Sequence, residues 1–150
     1  MRVLGLDLGD RRVGVAVSDP LGLTAQGLPT LTRNDLTLDA IADLCVRLDV
    51  VSIVIGLPRN MDGSYGPRAE MAREFGRQLH QRTGLPVHEW DERLTTRAAD
   101  NVLLEADLSR KKRRGAVDRL AAVLILQGFL DRQRVVGTAD RSDGGPAKLT

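Results

Sequence analysis

The first 18 residues constrain the fold more than any other part of this chain. Residues 1–8 and 12–18 are two apolar segments, and a short Gly9-Asp10 turn separates them. Apolar runs of this length bounded by turn residues are typical of β-strands, and so short a connection forces the two strands to pair antiparallel. A third strand is predicted near residues 27–31. The chain is therefore expected to begin with an antiparallel meander.

After the meander, predicted helices alternate with predicted strands. A helix capped by Asn34 or Asp35 comes first, because apolar residues follow at helical spacing. Residues 50–56 are apolar throughout, as in a strand that is covered on both faces. The later predicted elements are a loop over 57–66, a helix from Pro67 to Gly84, a strand over 85–90, a helix capped by Thr95 or Thr96, and a last helix over about 115–130. This order predicts an α/β fold with a mixed five-stranded sheet and helices on both faces.

A chain of 150 residues is expected to form one domain. Residues 1–135 carry the predicted elements, whereas residues 136–150 are rich in Gly, Asp and Ser and predict a flexible tail. The single cysteine, Cys45, lies among apolar residues of a predicted helix, which favours a small buried side chain over a nucleophile.

No segment is predicted to enter a membrane or to direct export. The apolar runs are all shorter than the ~20 residues that span a bilayer. Arg2 and Asp7 interrupt the N-terminal run, which differs from a signal peptide. We therefore expect a cytoplasmic protein.

Asp7 is the most informative residue for function. Strand interiors disfavour Asp, and a carboxylate within an apolar strand has a costly charge to satisfy. The alternative is a turn-forming Asp at the strand end, but Gly9-Asp10 already supplies that turn. Asp10 and Asp19 are further acids of the first two strands that could assist Asp7.

Asp91 and Glu92 follow the short strand that ends at Trp90. Side chains of successive strand residues point to opposite faces, so only one of the two acids can point toward Asp7. The alternative is that both acids complement the dipole of the following helix.

Asp118 lies in an otherwise apolar helix. The helical face that contains it is formed by Asp118, Ala121, Ala122, Ile125 and Phe129. The paired alanines would let this helix approach the sheet closely, with the acid over the strand ends. The alternative is a first-turn acid that is favoured by the helix dipole or pairs with Arg114.

Together, Asp7, Glu92 and Asp118 can converge on one site, because strand ends and a helix start can meet at one edge of a sheet. A cluster of carboxylates without His or Cys suits Mg²⁺ or Mn²⁺. Two such ions, about 3.5–4 Å apart, activate water and stabilise the leaving oxygen in phosphodiester cleavage. The sequence thus predicts a metal-dependent nuclease.

Clustered cations indicate a nucleic-acid partner. They are Arg11 and Arg12 after the first strand and, further along, Arg110, Lys111, Lys112, Arg113 and Arg114. Such cations can neutralise phosphates, although a solvated basic turn is the alternative reading. Aromatic residues make up only 3% of the chain, which disfavours base stacking and favours recognition of backbone and shape in structured RNA or branched DNA. A homodimer would suit a branched substrate.

Four segments together resemble the YqgF family, whose members are also called RuvX. They span about residues 1–132 in the family's order: LGLDLGDRRVGVAVSD (4–19), VIGLPRNMDGSYGPRA (54–69), WDERLTT (90–96) and AVDRLAAVLILQGFL (116–130). The resemblance implies a ribonuclease H-like fold, with Asp7, Glu92 and Asp118 matching the family's acidic triad. It also implies maturation of the 5′ end of 16S rRNA, with Holliday-junction resolution as a related activity. Resolvases of the RuvC type carry a second acid one turn along the last helix, where this chain has Ala121.

Two other classes compete with a nuclease. Sugar kinases and related ATPases begin with a similar hairpin, but they close two such domains around ATP, and 150 residues cannot supply both. A non-catalytic RNA-binding assembly factor could retain the fold. Such a factor would keep its function after Asp7→Asn, whereas a nuclease would lose it.

Overall fold

The computed structural model describes residues 1–58, 62, 64–91 and 120–134. The elements are β1 (Arg2–Leu8), β2 (Arg12–Ser18), β3 (Ala25–Thr32), α1 (Thr37–Arg47), β4 (Val50–Leu57), α2 (Pro67–Thr83) and β5 (Val87–Asp91). Residues 120–134 are helical and are called α3 here. The five strands form one sheet in the order β3-β2-β1-β4-β5. Strand β2 pairs antiparallel with both β1 and β3, whereas β4 pairs parallel with β1 and β5, which confirms the predicted mixed sheet.

Helices cover both faces of this sheet, as predicted. On one face, α1 and α2 pack against alternate strand residues, and the cluster includes Leu4, Leu6, Val13, Val15, Ile41, Cys45, Ile53, Ile55, Leu57, Ala72, Phe75 and Leu79. On the other face, α3 packs against the intervening residues, in a cluster of Val3, Ala16, Val54, Ala122, Ile125, Leu126, Phe129 and Leu130. The alternation of strand side chains therefore separates an α2 side from an α3 side of the sheet.

Helix α3 crosses β1 at very short range because residue 5 is glycine. A Cβ atom added to Gly5 would lie 2.7 Å from the Cβ of Leu126 and 3.3 Å from the carbonyl oxygen of Ala122. The predicted close approach at the alanines is thus confirmed for Ala122, which is buried, while Ala121 is only partly buried.

The direction of α3 follows from its contacts with the meander. The Gln127 side chain accepts a hydrogen bond from the backbone N–H of Ala25 (2.9 Å) and donates one to the carbonyl oxygen of Leu23 (3.0 Å). Ala25 pairs with Ser18, whose hydroxyl accepts the N–H of Val3 near the start of β1. Along β1, Gln127 thus lies toward the start of the strand and Ala122 over Gly5, so α3 runs opposite to β1.

The start of α1 differs from the prediction. Its N-cap is Leu36, which makes no side-chain capping bond. The Asn34 side chain accepts the N–H of Leu36 (2.8 Å), and the Thr37 hydroxyl accepts the N–H of Asn34 (2.8 Å). Asn34 therefore closes a turn just before the helix instead of capping it, and Asp35 does not cap it either.

Other predicted boundaries shift by a few residues. Leu57 belongs to β4 and not to the following loop, and β5 ends at Asp91, one residue later than predicted. Strand β4 is covered on both faces except at Val51, which is 39% exposed. The helix predicted after Thr95 or Thr96 and the predicted tail over 136–150 lie outside the described residues.

Cys45 is buried in the cluster between the sheet and α1, as predicted. Burial raises the pKa of its thiol to about 11, so the nucleophilic thiolate is scarce at neutral pH. Within the described parts of the chain, no helix is both long and apolar enough to cross a membrane.

Candidate functional site

Asp7 lies near the carboxyl end of β1, the central strand, where it is half-buried. It pairs with Gly14 on β2. On the other side of β1, the pairing with β4 extends as far as Leu6 and Ile55. The next residue of β4, Gly56, therefore lies beside Asp7. By strand alternation, Asp7 shares the α3 side of the sheet with Gly5.

Two buried glycines therefore flank the carboxylate of Asp7. Gly14 and Gly56 both lie at positions that alternate with residues packed on the α2 side, so a Cβ atom at either would project toward the α3 side. Neither neighbouring strand places a side chain beside Asp7. The backbone thus leaves room around a carboxylate whose oxygens are hard ligands suited to Mg²⁺ or Mn²⁺.

Trp90 continues this row of residues on β5, where it pairs with Gly56. Its indole ring lies against α3: a Cβ atom added to Gly128 would be 2.9 Å from Trp90 Cζ2, and the Phe129 ring meets it edge-on at 6.4 Å. Glu89, the preceding residue, points to the other side and pairs with Arg73 at 3.3 Å. Strand β5 ends one residue after Trp90, at Asp91.

The structure describes only part of the predicted site. Asp7 is described and its role stays a prediction, whereas Glu92, Asp118 and the basic residues at 110–114 lie outside the described residues. Among the residues that are described, no three His, Cys, Asp or Glu side chains are grouped closely enough to hold a metal ion. The roles of Glu92, Asp118 and the basic segment stay predictions.

The β1–β2 turn presents Arg11 and Arg12 at the same edge of the sheet as Asp7, and both side chains are exposed. The N–H of Gly9 donates to the Arg12 carbonyl oxygen (2.8 Å), and a Cβ atom at Gly9 would lie 2.9 Å from that oxygen. The guanidinium of Arg33 donates a hydrogen bond to the carbonyl oxygen of Gly9 (2.9 Å). The backbone N–H of Arg33 donates a second one to the carbonyl oxygen of Arg11 (2.8 Å). Sequence reasoning missed Arg33, because its partners are distant in the chain.

Asp10 and Asp19 play different parts. The carboxylate of Asp10 pairs with Arg68 at the start of α2 (3.2 Å), at the same end of the sheet as Asp7. Asp19 follows β2 and so lies at the opposite end, where it accepts the N–H groups of Thr24 (2.9 Å) and Leu23 (2.6 Å). The hydrogen bond from the Thr24 N–H has the largest effect in lowering the pKa of Asp19, and the one from Leu23 adds to it. Asp19 closes the β2–β3 turn and cannot assist Asp7.

His88 lies buried on the α3 side of β5, and we expect it to make the stability of the fold depend on pH. The side chain is buried against the Phe129 ring (5.1 Å between centroids), and burial lowers its pKa below 6.5. Below about pH 6.5 the unfolded chain takes up this proton more readily than the folded chain, so stability should fall on acidification. We expect the unfolding midpoint of His88→Phe to depend less steeply on pH than that of the unchanged protein, when both are measured from about pH 7.5 down to pH 5.5.

The control for this prediction is the exposed His80, whose ring lies 2.8 Å from the Leu85 carbonyl oxygen. His80→Gln should retain the full pH dependence. An equally steep dependence in His88→Phe would show that other groups cause the acid sensitivity.

Two solved structures of Holliday-junction resolvases have a similar architecture. Thermus thermophilus RuvC in complex with a Holliday junction substrate matches with a TM-score of 0.57 at 15% identity, over 89% of this chain and 96% of RuvC. The fowlpox virus resolvase in complex with Holliday junction DNA matches with a TM-score of 0.52 at 11% identity, over 88% and 98% of the two chains. These likenesses confirm the ribonuclease H-like fold.

The family model for RuvX, described as "Holliday junction resolvase", matches residues 1–132. A Moorella thermoacetica protein named "Putative pre-16S rRNA nuclease" is 58% identical over 134 residues, which cover 88% of this chain and 96% of the relative. A protein of the same name from Pelotomaculum thermopropionicum is 52% identical over 148 residues, or 97% and 94% of the two chains. The chain belongs to the RuvX family, and the resemblance seen in its sequence is confirmed.

Proposed function

We propose that this chain is a metal-dependent nuclease that hydrolyses phosphodiester bonds near the 5′ end of pre-16S rRNA. The observation that carries the proposal is Asp7, a half-buried carboxylate on the central strand, flanked by Gly14 and Gly56. Membership of the RuvX family and the names of the relatives support nuclease activity and this substrate.

Glu92 is the second proposed ligand. It comes directly after β5 and two residues after Trp90, whose side chain lies on the same side of the sheet as Asp7. If the extended chain continues by one residue, alternation directs Glu92 rather than Asp91 toward Asp7.

Asp118 is the third proposed ligand. Helix α3 runs opposite to β1, with Ala122 over Gly5 and Gln127 nearer the start of the strand. Residues that precede Ala122 by one helical turn would therefore approach the end of β1 where Asp7 lies. Asp118 is four residues before Ala122.

In this site, Mg²⁺ or Mn²⁺ would supply Lewis acidity and an activated water. The chain's contribution is to hold its carboxylates in place before substrate arrives. Asp7 is well suited to this, because β1 is hydrogen-bonded to strands on both sides and α3 packs directly on it at Gly5. Arg11 and Arg12 would contact substrate phosphates beside the site.

A Holliday-junction resolvase is the second candidate, because the family description and the RuvC complex both name that junction. Residue 121 is alanine, so this chain lacks the acid that RuvC-type resolvases carry one turn along the last helix. That difference favours RNA over the junction. With an RNA substrate of this kind, we expect the protein to act in the cytoplasm. We also expect a homodimer, which light scattering would test by measuring the molar mass in solution.

The proposed function is tested by incubating the protein with an end-labelled pre-16S rRNA fragment, duplex DNA or a four-way junction. Each reaction contains Mg²⁺, Mn²⁺ or a chelator. We expect metal-dependent cleavage of the RNA fragment that is lost in Glu92→Gln and in Asp118→Asn. Glu74→Gln is the control, because Glu74 is an exposed acid that pairs with Arg77 on α2. Cleavage of the junction alone would select the resolvase, and RNA binding without any cleavage would select an assembly factor.

A further inference from the structure

We propose that Arg68 binds a phosphate of the substrate strand beside the candidate site, and that this phosphate replaces Asp10 as the partner of its guanidinium. This inference rests on the proposed function and adds a binding residue to it. The pair joins two elements at one end of the sheet: Asp10 follows β1 and Arg68 is the second residue of α2.

The ion pair contributes little to stability. Its side chains are 67% and 72% exposed, and its atoms are 3.2 Å apart. Exposed pairs of this kind are screened by water and salt. The turn that carries Asp10 is already held by hydrogen bonds from Arg33 to Gly9 and Arg11. The contact between Asp10 and Arg68 is therefore not needed to shape the turn.

The other arginines of α2 with described ion pairs are placed differently. Arg73 is 28% exposed and contacts both Glu70 and Glu89, Arg77 pairs with Glu74 on its own helix, and Arg82 pairs with Asp39 of α1 at the far end of α2. Among these described pairs, that of Arg68 is the one whose acid, Asp10, follows the end of β1 where Asp7 lies.

The chemistry of Arg68 suits a phosphate. A guanidinium can donate two parallel hydrogen bonds to phosphate oxygens, a contact stronger than one to a neutral acceptor. Arg11 is exposed on the same turn and forms no ion pair with a described residue. Arg11, which follows Asp10 in the chain, and Arg68, which pairs with Asp10, thus present two cations at the end of the sheet where Asp7 lies.

The test measures binding of a labelled pre-16S rRNA fragment in a chelator, so that cleavage does not contribute. We expect Arg68→Gln to weaken binding roughly 5- to 10-fold and to lower the slope of log affinity against log salt by about 0.7–0.9, the value of one lost phosphate contact. Asp10→Asn should bind at least as tightly as the unchanged protein, because it removes a competing carboxylate. Arg68→Lys, which keeps the charge, should recover part of the affinity.

Arg77→Gln is the matched control, since it also removes an exposed, ion-paired arginine from α2. Two results would overturn the inference: unchanged binding in Arg68→Gln, or equal weakening in Arg68→Gln and Asp10→Asn, which would mark the pair as a structural link. Because binding is measured without metal, failure of this inference is distinct from failure to cleave RNA when metal is present.

Discussion

Asp7→Asn should reduce metal-dependent RNA cleavage at least about 100-fold. Substituting a residue that only orients a metal ligand already lowers metal affinity or activity about 10- to 100-fold, and Asp7 is proposed as a ligand itself. Asparagine has nearly the same shape as aspartate but lacks the negative charge that binds a divalent cation. The flanking Gly14 and Gly56 provide no other carboxylate beside this position. Initial cleavage rates at saturating Mg²⁺ or Mn²⁺ measure the effect.

Asp43→Asn is the control for this loss of activity. Asp43 is an exposed acid on α1, where it pairs with Arg47 at 2.8 Å. We expect it to retain full cleavage, and both variants should bind the RNA fragment in a chelator and unfold cooperatively. Undiminished cleavage in Asp7→Asn would show that Asp7 is not part of the active site and would contradict the proposed mechanism.

Gly5→Ala should destabilise the fold by about 1–3 kcal/mol, the usual cost of adding a methyl group to a well-packed core. The new Cβ atom would lie 2.7 Å from Leu126 Cβ and 3.3 Å from the backbone oxygen of Ala122. Neither atom is the end of a flexible side chain, so α3 as a whole would have to move away from β1. Urea unfolding at constant m-value measures the change in free energy.

The same displacement should reach the candidate site. Asp118 is four residues before Ala122, and in the proposed site it lies opposite Asp7, so moving α3 away from β1 would separate these two proposed ligands. We therefore expect Gly5→Ala to lower the cleavage rate even under conditions in which the variant is fully folded. Normal cleavage in the folded variant would argue against Asp118 as a partner of Asp7.

Gly76→Ala is the matched control for packing. Gly76 lies within α2, and its added Cβ atom would be 3.3 Å from a methyl group of Val87. A side-chain methyl yields more easily than a backbone, and replacing glycine by alanine in a helix gains about 1 kcal/mol. The loss of stability should thus be clearly smaller than for Gly5→Ala, and equal losses would contradict the close approach of α3 to β1.

Local patterns were sufficient to predict the order of the described elements. The apolar runs of β1, β2 and β4 and the helical spacing of α1 and α2 appear in the structure because each periodicity is a property of neighbouring residues. The cap of α1 was predicted wrongly, because the Asn34 side chain accepts the N–H of Leu36 before the helix begins instead of an N–H of the first helical turn.

The sequence by itself determined the mixed sheet and the helices on both faces. It also singled out Asp7 as a candidate, since a carboxylate in an apolar strand is costly wherever the strand lies. Only the tertiary structure decided what surrounds that carboxylate. Register across three strands places Gly14 and Gly56 beside Asp7, and contacts between distant segments bring Arg68 to Asp10 and α3 onto Gly5. Such pairings depend on how whole elements pack, and no local periodicity encodes them.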